Sequence, residues 1–216
     1  VGYQMRWHPV TQHFKAHLAD IGTPRSAHFF TRSNIATWSG HRESYEDALL
    51  ECSHELDLAY HFFGPGRVVG AAGDGPRWSV LVQHDGGVVS QVELSYEAPE
   101  YQRGLTIVGG RMVKHWLTDS PNRLGWLWTD NHVLDRHECH AELWVLPGVA
   151  RIDWPTWSHE SLHRAELEHF LFCVALGVQT QCPLADGLAV LTWCDEAREL
   201  AGGYPLMVYR HADSAG

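Results

Sequence analysis

The sequence predicts an α+β domain, built on an open, mainly antiparallel sheet with helices packed on one face, and three observations predict it. Two runs with strand character, Val80-Leu81-Val82-Gln83 and Val88 to Leu94, flank His84-Asp85-Gly86-Gly87, whose glycines and aspartate suit a hairpin turn. Two further runs, about Gly104 to Val108 and Arg111 to Trp116, meet at Gly109-Gly110, so four consecutive strands read as an antiparallel meander. Helical periodicity returns after the strands, in Leu162 to Leu176 and Gly187 to Leu200, with Gly177 and Gly202 as stops. This order excludes an alternating parallel architecture in the meander.

The other elements follow in chain order. Val1 to Met5 reads as a strand, and His8-Pro9 opens a helix through about Leu18, with Val10, Phe14 and Leu18 on one face. After the turn-like Gly22-Thr23-Pro24, Ser26 to Arg32 reads as a second strand, and Trp38 to Ser44 as a polar loop. A helix carrying Leu49 to Asp57 runs to Phe62-Phe63, where Gly64-Pro65 stops it. Gly70, Gly73 and Gly75 read as a glycine-rich turn, Leu143 to Val145 as a further strand, and the last dozen residues as a short extended piece and a frayed tail.

Composition bounds the rest. A chain of 216 residues with 44% hydrophobic content is long enough for a packed core, and no repeat or linker divides it, so residues 1–205 are expected to form one domain and 206–216 a tail. The formal charge of -10, with acidic residues scattered and basic ones few, argues against a phosphate-backbone footprint and against a nucleic-acid partner. No run approaches the length of a membrane span, and Val1 to Arg6 is not a signal peptide. The cysteines, Cys52, Cys139, Cys173, Cys182 and Cys194, are odd in number, and three of them sit inside apolar helical patterns. A reducing, cytoplasmic setting is the expectation.

The candidate catalytic pair is Glu51 and His54. Spaced i, i+3, they share one face of a helix whose stripe continues through Leu58 and Phe62. A histidine oriented by a carboxylate works as an acid or base near neutral pH. The structural alternative is a hydrogen-bonded core or interface histidine. Arg6, Arg42, Trp38 and Tyr45 are the candidate substrate-binding residues, the arginines because a guanidinium offers several fixed donors to anionic or hydroxyl-rich groups. A surface ion pair is the alternative for either arginine.

Two metal-like signals in the sequence are weak. His159-Glu160-Ser161-Leu162-His163 satisfies the zinc-protease spacing, but histidine and glutamate are frequent here and no third ligand announces itself. His137-Glu138-Cys139-His140 lacks a partner pair, so a polar loop or strand edge is expected there, and no metal.

The order of motifs resembles a known family. Val1 to Pro9, Arg42-Glu43-Ser44-Tyr45, Leu49 to Asp57 with Phe63-Gly64, and Leu105 to Gly110 match successive segments of the catalytic domain of the Gfo/Idh/MocA oxidoreductases. Glu166 to Phe170 and Asp186 to Leu191 resemble that domain's two closing helices. The resemblance covers most of residues 1 to 202 and only the family's C-terminal half. It implies that the chain starts about where the family's Rossmann domain hands over, so the nicotinamide site and the lysine of the Glu-Lys-Pro motif belong to a half not matched here. No G-x-G-x-x-G follows a strand and opens a helix, which agrees. No cofactor is therefore expected in this chain, and NAD(P) only if a separate Rossmann domain supplies it.

The resemblance further implies that His54 matches a histidine that contacts the reacting hydroxyl or carbonyl of a sugar. Many relatives place an aspartate three or four residues earlier, where this chain has Glu51 and Leu50, and the glycine-rich stretch before the helix is shortened. Six of the ten tryptophans, Trp116, Trp126, Trp128, Trp144, Trp154 and Trp157, fall between residues 116 and 157. In the family the open sheet face carries subunit contacts, so a homo-oligomer through that face is expected.

Three functions remain open at this point. One is the substrate-binding and oligomerisation half of a sugar oxidoreductase, completed by a separate Rossmann subunit or domain. Another is a stand-alone isomerase, lyase or cyclase that uses His54 on a small polar metabolite without a cofactor. The last is a binding or scaffold module without catalysis.

Overall fold

A computed structural model describes residues 2–34, 47–51, 53–110, 112–119, 137–145, 148–157 and 159–202. Its first element is a 3-10 turn, Gln4–Trp7, where the sequence suggested a strand. The turn pulls Met5 and Arg6 inward, at 0% and 1% exposure, and an isolated strand here would lack a partner. Helix α1, Pro9–Ala16, starts on proline with the His8 ring nitrogen accepting the Val10 N–H, and it buries Val10 and Phe14. α1 ends two residues short of the expected Leu18, and a second 3-10 turn, Leu18–Ile21, follows it.

Strand β1, Pro24–Asn34, turns Ala27, Phe29, Thr31 and Ser33 toward the helices and His28, Arg32 and Asn34 to the other face. The expected continuous helix from Leu49 is broken: α2 spans Ala48–Glu51 and α3 spans His54–Phe63. At the break, the Ser53 N–H bonds the Leu50 carbonyl in a 3-10 step. Asp47 anchors α2, since its Oδ1 accepts the Leu49 N–H at 2.8 Å while its Oδ2 accepts from Arg198. Gly64, at φ 74°, ends α3 as expected.

Strands β2 (Gly66–Asp74), β3 (Arg77–His84), β4 (Val89–Ser95), β5 (Glu97–Gly109), β6 (Met112–Asp119), β7 (His137–Val145) and β8 (Gly148–Trp157) complete the sheet. Its order is β2-β3-β4-β1-β5-β6-β7-β8, antiparallel throughout except for the parallel pair β1 and β4. The expected meander is therefore split. β4 and β5 are separated in sequence by Tyr96 alone, yet β1 lies between them and pairs with both. Gly70 and Gly73, expected in a turn, are paired in β2, and only Gly75 lies in the turn that follows.

Helices α4, His159–Leu176, and α5, Leu184–Leu200, follow the strands, and Gly177 and Gly202 close them at positive φ. α3 and α5 cover one face of the sheet. The Phe62 and Phe63 rings meet Phe29, and Trp193 meets the buried His84 at 5.6 Å. Trp193 Nε1 donates to the Gly66 carbonyl, and the Val68 N–H donates to Glu196, which ties α5 to β2. Leu56, Val80, Val92, Leu105, Ile107 and Val190 fill the space between, all fully buried. The opposite face is polar at its centre, where Arg32 grips Glu93 through two hydrogen bonds of 2.8 and 3.0 Å and holds that carboxyl below its usual range. Cys173, Cys182 and Cys194 are free and buried. No helix among the described residues is long and apolar enough to cross a membrane.

Candidate active site

His54 opens α3, where its ring lies edge-on against Tyr3, with centroids 5.6 Å apart. The Tyr3 hydroxyl reaches the Ser53 hydroxyl at 3.5 Å, and burial pushes the phenol up to about 12, so Tyr3 stays a neutral donor. His54 itself is only partly buried. Glu51 stands at the end of the separate helix α2 on the exposed side. Desolvation raises its carboxyl, and the neighbouring Asp47 adds to the effect. The two candidate catalytic residues thus belong to separate helices, α2 and α3, with Ser53 in a turn between them.

Arg6 is not at the surface. Its Nε donates to both Asp57 oxygens at 3.1 and 2.9 Å, and its Nη2 donates to Oδ1 at 2.6 Å. Its Nη1 donates to Asp186 at 2.9 Å and to the Gln181 carbonyl. One guanidinium therefore joins the first 3-10 turn, α3, the loop before α5, and α5 itself. Burial works against its charge, but Asp57's hydrogen bonds and charge outweigh burial and raise Arg6 above its ordinary value. Burial pushes Asp57 up to about 6 despite Arg6, with help from Asp186 and from Glu166 on α4. With its donors committed to protein acceptors, Arg6 holds the site together and does not reach out to a substrate.

Tyr3 and Arg6 lie three residues apart on the turn, and so do His54 and Asp57 on α3. The contacts Tyr3–His54 and Arg6–Asp57 form two rungs between the same pair of elements. On the other side of α3, Glu55 is fully buried against Arg103 of β5 at 2.7 Å, and Arg103 also donates to the Thr31 hydroxyl. His54 is thus carried on a helix pinned through a buried ion pair to the turn on one side and to the sheet on the other. The sequence reading overlooked Tyr3 and did not give Asp57 this role, although the spacing His54-x-x-Asp57 was a usable signal.

Arg42, Trp38 and Tyr45 lie outside the described residues. His163 and Glu160 of the zinc-protease-like motif are exposed on α4, and the His137 to His140 cluster lies in β7. Of the tryptophan cluster, Trp116, Trp144, Trp154 and Trp157 fall on β6, β7 and β8, while Trp126 and Trp128 are outside the described residues. Gly70 and Gly73 pair with Leu81 and Trp78 in an antiparallel hairpin. Their amides serve strand pairing and open no helix, so this segment does not fit a dinucleotide pyrophosphate.

No protein-family model matches the sequence, and no curated protein matches it. Solved structures do match the fold. An oxidoreductase from Agrobacterium radiobacter, in complex with NAD+, L-tartaric acid and magnesium, aligns with a TM-score of 0.73 at 21% identity, over 94% of this chain and 62% of that one. Levoglucosan dehydrogenase in complex with NADH and L-sorbose aligns with a TM-score of 0.72 at 16% identity, over 94% of this chain and 63% of its own. UDP-N-acetylglucosamine 3-dehydrogenase from Acidithiobacillus ferrooxidans aligns with a TM-score of 0.66 at 20% identity, over 92% and 60%. These neighbours are Gfo/Idh/MocA-type oxidoreductases. This chain has the fold found in them and spans about three fifths of their length.

Proposed function

We propose that this chain is the substrate-binding half of an oxidoreductase acting on a sugar or similar polyhydroxylated small molecule, with His54 exchanging the proton of the reacting hydroxyl. The observation that carries this reading is the placement of His54: partly buried, edge-on to a neutral tyrosine, on a helix pinned through buried ion pairs on two sides. A base that must meet a substrate oxygen at hydrogen-bonding distance needs that rigidity. Glu51, exposed on α2 with its carboxyl raised by desolvation and by Asp47, is the second acid of this reading. The nicotinamide that accepts or gives hydride belongs to a further domain or a separate subunit, because the glycine-rich segment of this chain is spent in a hairpin.

Binding measurements with the chain itself test the reading. L-sorbose, levoglucosan and L-tartaric acid, each present in a structural neighbour, are suitable probes. At least one is expected to bind, and His54→Ala, with an unchanged circular dichroism spectrum, to weaken it about tenfold, the value of one charge-assisted hydrogen bond. Failure of all the probes, or equal affinity in the variant, would remove His54 from the site. Saturable NADH binding by this chain alone would refute the division of labour.

A further inference from the structure

Helix α2 has only four residues, Ala48–Glu51, too few to hold their shape without tertiary support. Part of that support is apolar, since Ala48 and Leu49 are fully buried, and part is the Ala48 N–H, which donates to the Gly75 carbonyl at 2.8 Å. The rest comes from α5. Cys194 and Arg198 stand one turn apart on its buried side, at 0% and 6% exposure. Burial pushes the Cys194 thiol up to about 12, so it stays a neutral donor, and it reaches the Leu49 carbonyl at 3.7 Å. Arg198 donates to Asp47 Oδ2 through Nε at 3.1 Å and through Nη2, while Asp47 Oδ1 caps α2 by accepting the Leu49 N–H at 2.8 Å. Each oxygen of Asp47 thus serves a different helix.

Asp47 and Glu51 lie four residues apart, and the Glu51 N–H donates to the Asp47 carbonyl at 3.3 Å, so one helical turn joins them. Two carboxylates at this spacing share a face and repel. Desolvation first, and then this like charge, raise the Glu51 carboxyl. The guanidinium of Arg198 sits on Asp47 Oδ2 and offsets part of the repulsion. Asp195, 3.6 Å from Arg198 Nη1, is the other charged group that α5 brings here. On the strands packed against α2, Arg77 is taken up by Glu97 at 3.0 Å, Glu93 by Arg32 on the opposite face, and His84 by the Gly64 carbonyl and the Ser90 hydroxyl.

We propose that Arg198 and Asp47 are positioning residues for Glu51: through their ion pair, α5 holds α2 in place and sets how readily Glu51 gives up its proton. The inference rests on the reading of Glu51 as the second acid. It also gives α5 a role at both ends. Asp186, near its start, reaches Arg6 and through it Asp57 of α3, while Arg198, near its end, reaches Asp47 of α2. One helix thus anchors the separate carriers of His54 and Glu51.

A carboxyl-carbon NMR titration of Glu51 in the ligand-free chain tests the proposal, and it does not depend on whether the sugar and tartrate probes bind. Asp47→Asn keeps a capping oxygen and removes the like charge. Glu51 is then expected to titrate lower, its proton affinity falling about twofold, the size of a repulsion between charges one turn apart on a helix. Arg198→Gln removes the compensating charge, so Glu51 is expected to titrate higher by a similar factor, and Arg198→Lys is expected to restore the wild-type value. Support of shape alone predicts a different pattern. A frayed α2 would expose Glu51 and lower its titration in both Asp47→Asn and Arg198→Gln, with faster hydrogen exchange at the Leu49 amide. Shifts of the same sign in those two variants, or no shift in Asp47→Asn, overturn the proposal. If circular dichroism shows that Arg198→Gln does not fold, Asp47→Asn decides alone: a lowered titration with Leu49 exchange unchanged supports the proposal, and any other result overturns it.

Discussion

Replacing Asp57 with asparagine probes the clamp that carries the candidate site. Arg6 is 1% exposed and Asp57 0%, and their contacts at 2.6, 2.9 and 3.1 Å engage both carboxylate oxygens. Asparagine keeps the shape but offers one acceptor in place of two and no charge. Arg6 is then left buried with Asp186 as its remaining ionised partner, and Asp186 is 21% exposed. Breaking a buried pair from one side costs about 3–5 kcal/mol, and the surviving Asp186 contact points to the lower end, about 3 kcal/mol. For a chain of this size that corresponds to a fall in melting temperature of roughly 6–12 °C. Urea denaturation should show the loss as a lower midpoint at unchanged slope. A loss below about 1 kcal/mol would mean that Arg6 finds water or another acceptor at no cost, and the clamp would not explain how α3 is held. The apolar double variant Arg6→Met/Asp57→Leu should recover most of the stability, because it removes both charges together.

Two further outcomes follow from other parts of the molecule. Burial, reinforced by Lys15 and Arg6, pulls the His61 ring down to about 3, below its unfolded value. The stability it contributes is therefore fully present above about pH 6.5 and is lost as pH falls toward 3. Allowing for its partial exposure, the loss between pH 6.5 and 5 is about 1–2 kcal/mol. Urea midpoints across that window should fall for the wild type and flatten for His61→Asn, and equal slopes would sink the assignment. At the end of β5, a Cβ on Gly109 would run into the Ile21 carbonyl and lie 2.8 Å from its Cγ1, whereas one on Gly110 meets nothing within 4 Å. Gly109→Ala should cost about 2 kcal/mol in thermal unfolding and Gly110→Ala almost nothing. Equal effects would show that the Leu18–Ile21 turn yields freely.

Local chemistry made much of this architecture legible. The hairpin at His84 to Gly87 and the helix stops at Gly64, Gly177 and Gly202 are encoded by turn residues that act within a few positions, and each falls where the sequence places it. What stayed hidden depends on distant partners. Nothing near Tyr96 reveals that the strands beside it are parted by β1, because that pairing is decided some seventy residues earlier in the chain. The first residues have strand-like composition, yet burying Arg6 against Asp57 and Asp186 favours a tight turn. In the site, His54 could be singled out from its pattern. Arg6 could be identified but not given its role, since an arginine facing a substrate and one locked between carboxylates are written with the same letter. The break between Glu51 and His54 also escapes periodicity, because Leu49, Leu58 and Phe62 continue one apparent stripe across it.

The position of β1 constrains how the chain can reach this state. β4 and β5 are joined so tightly at Tyr96 that an unfolded chain would first bring them together as neighbours, and that pairing would shut β1 out. Productive assembly needs β1 to associate with one of them before they zip to each other. The first such contact spans some sixty residues or more and carries a large loop-closure entropy. Refolding is therefore expected to be slow for a domain of this length. Its kinetic competitor is a premature β4–β5 hairpin whose edges are left to pair with other chains.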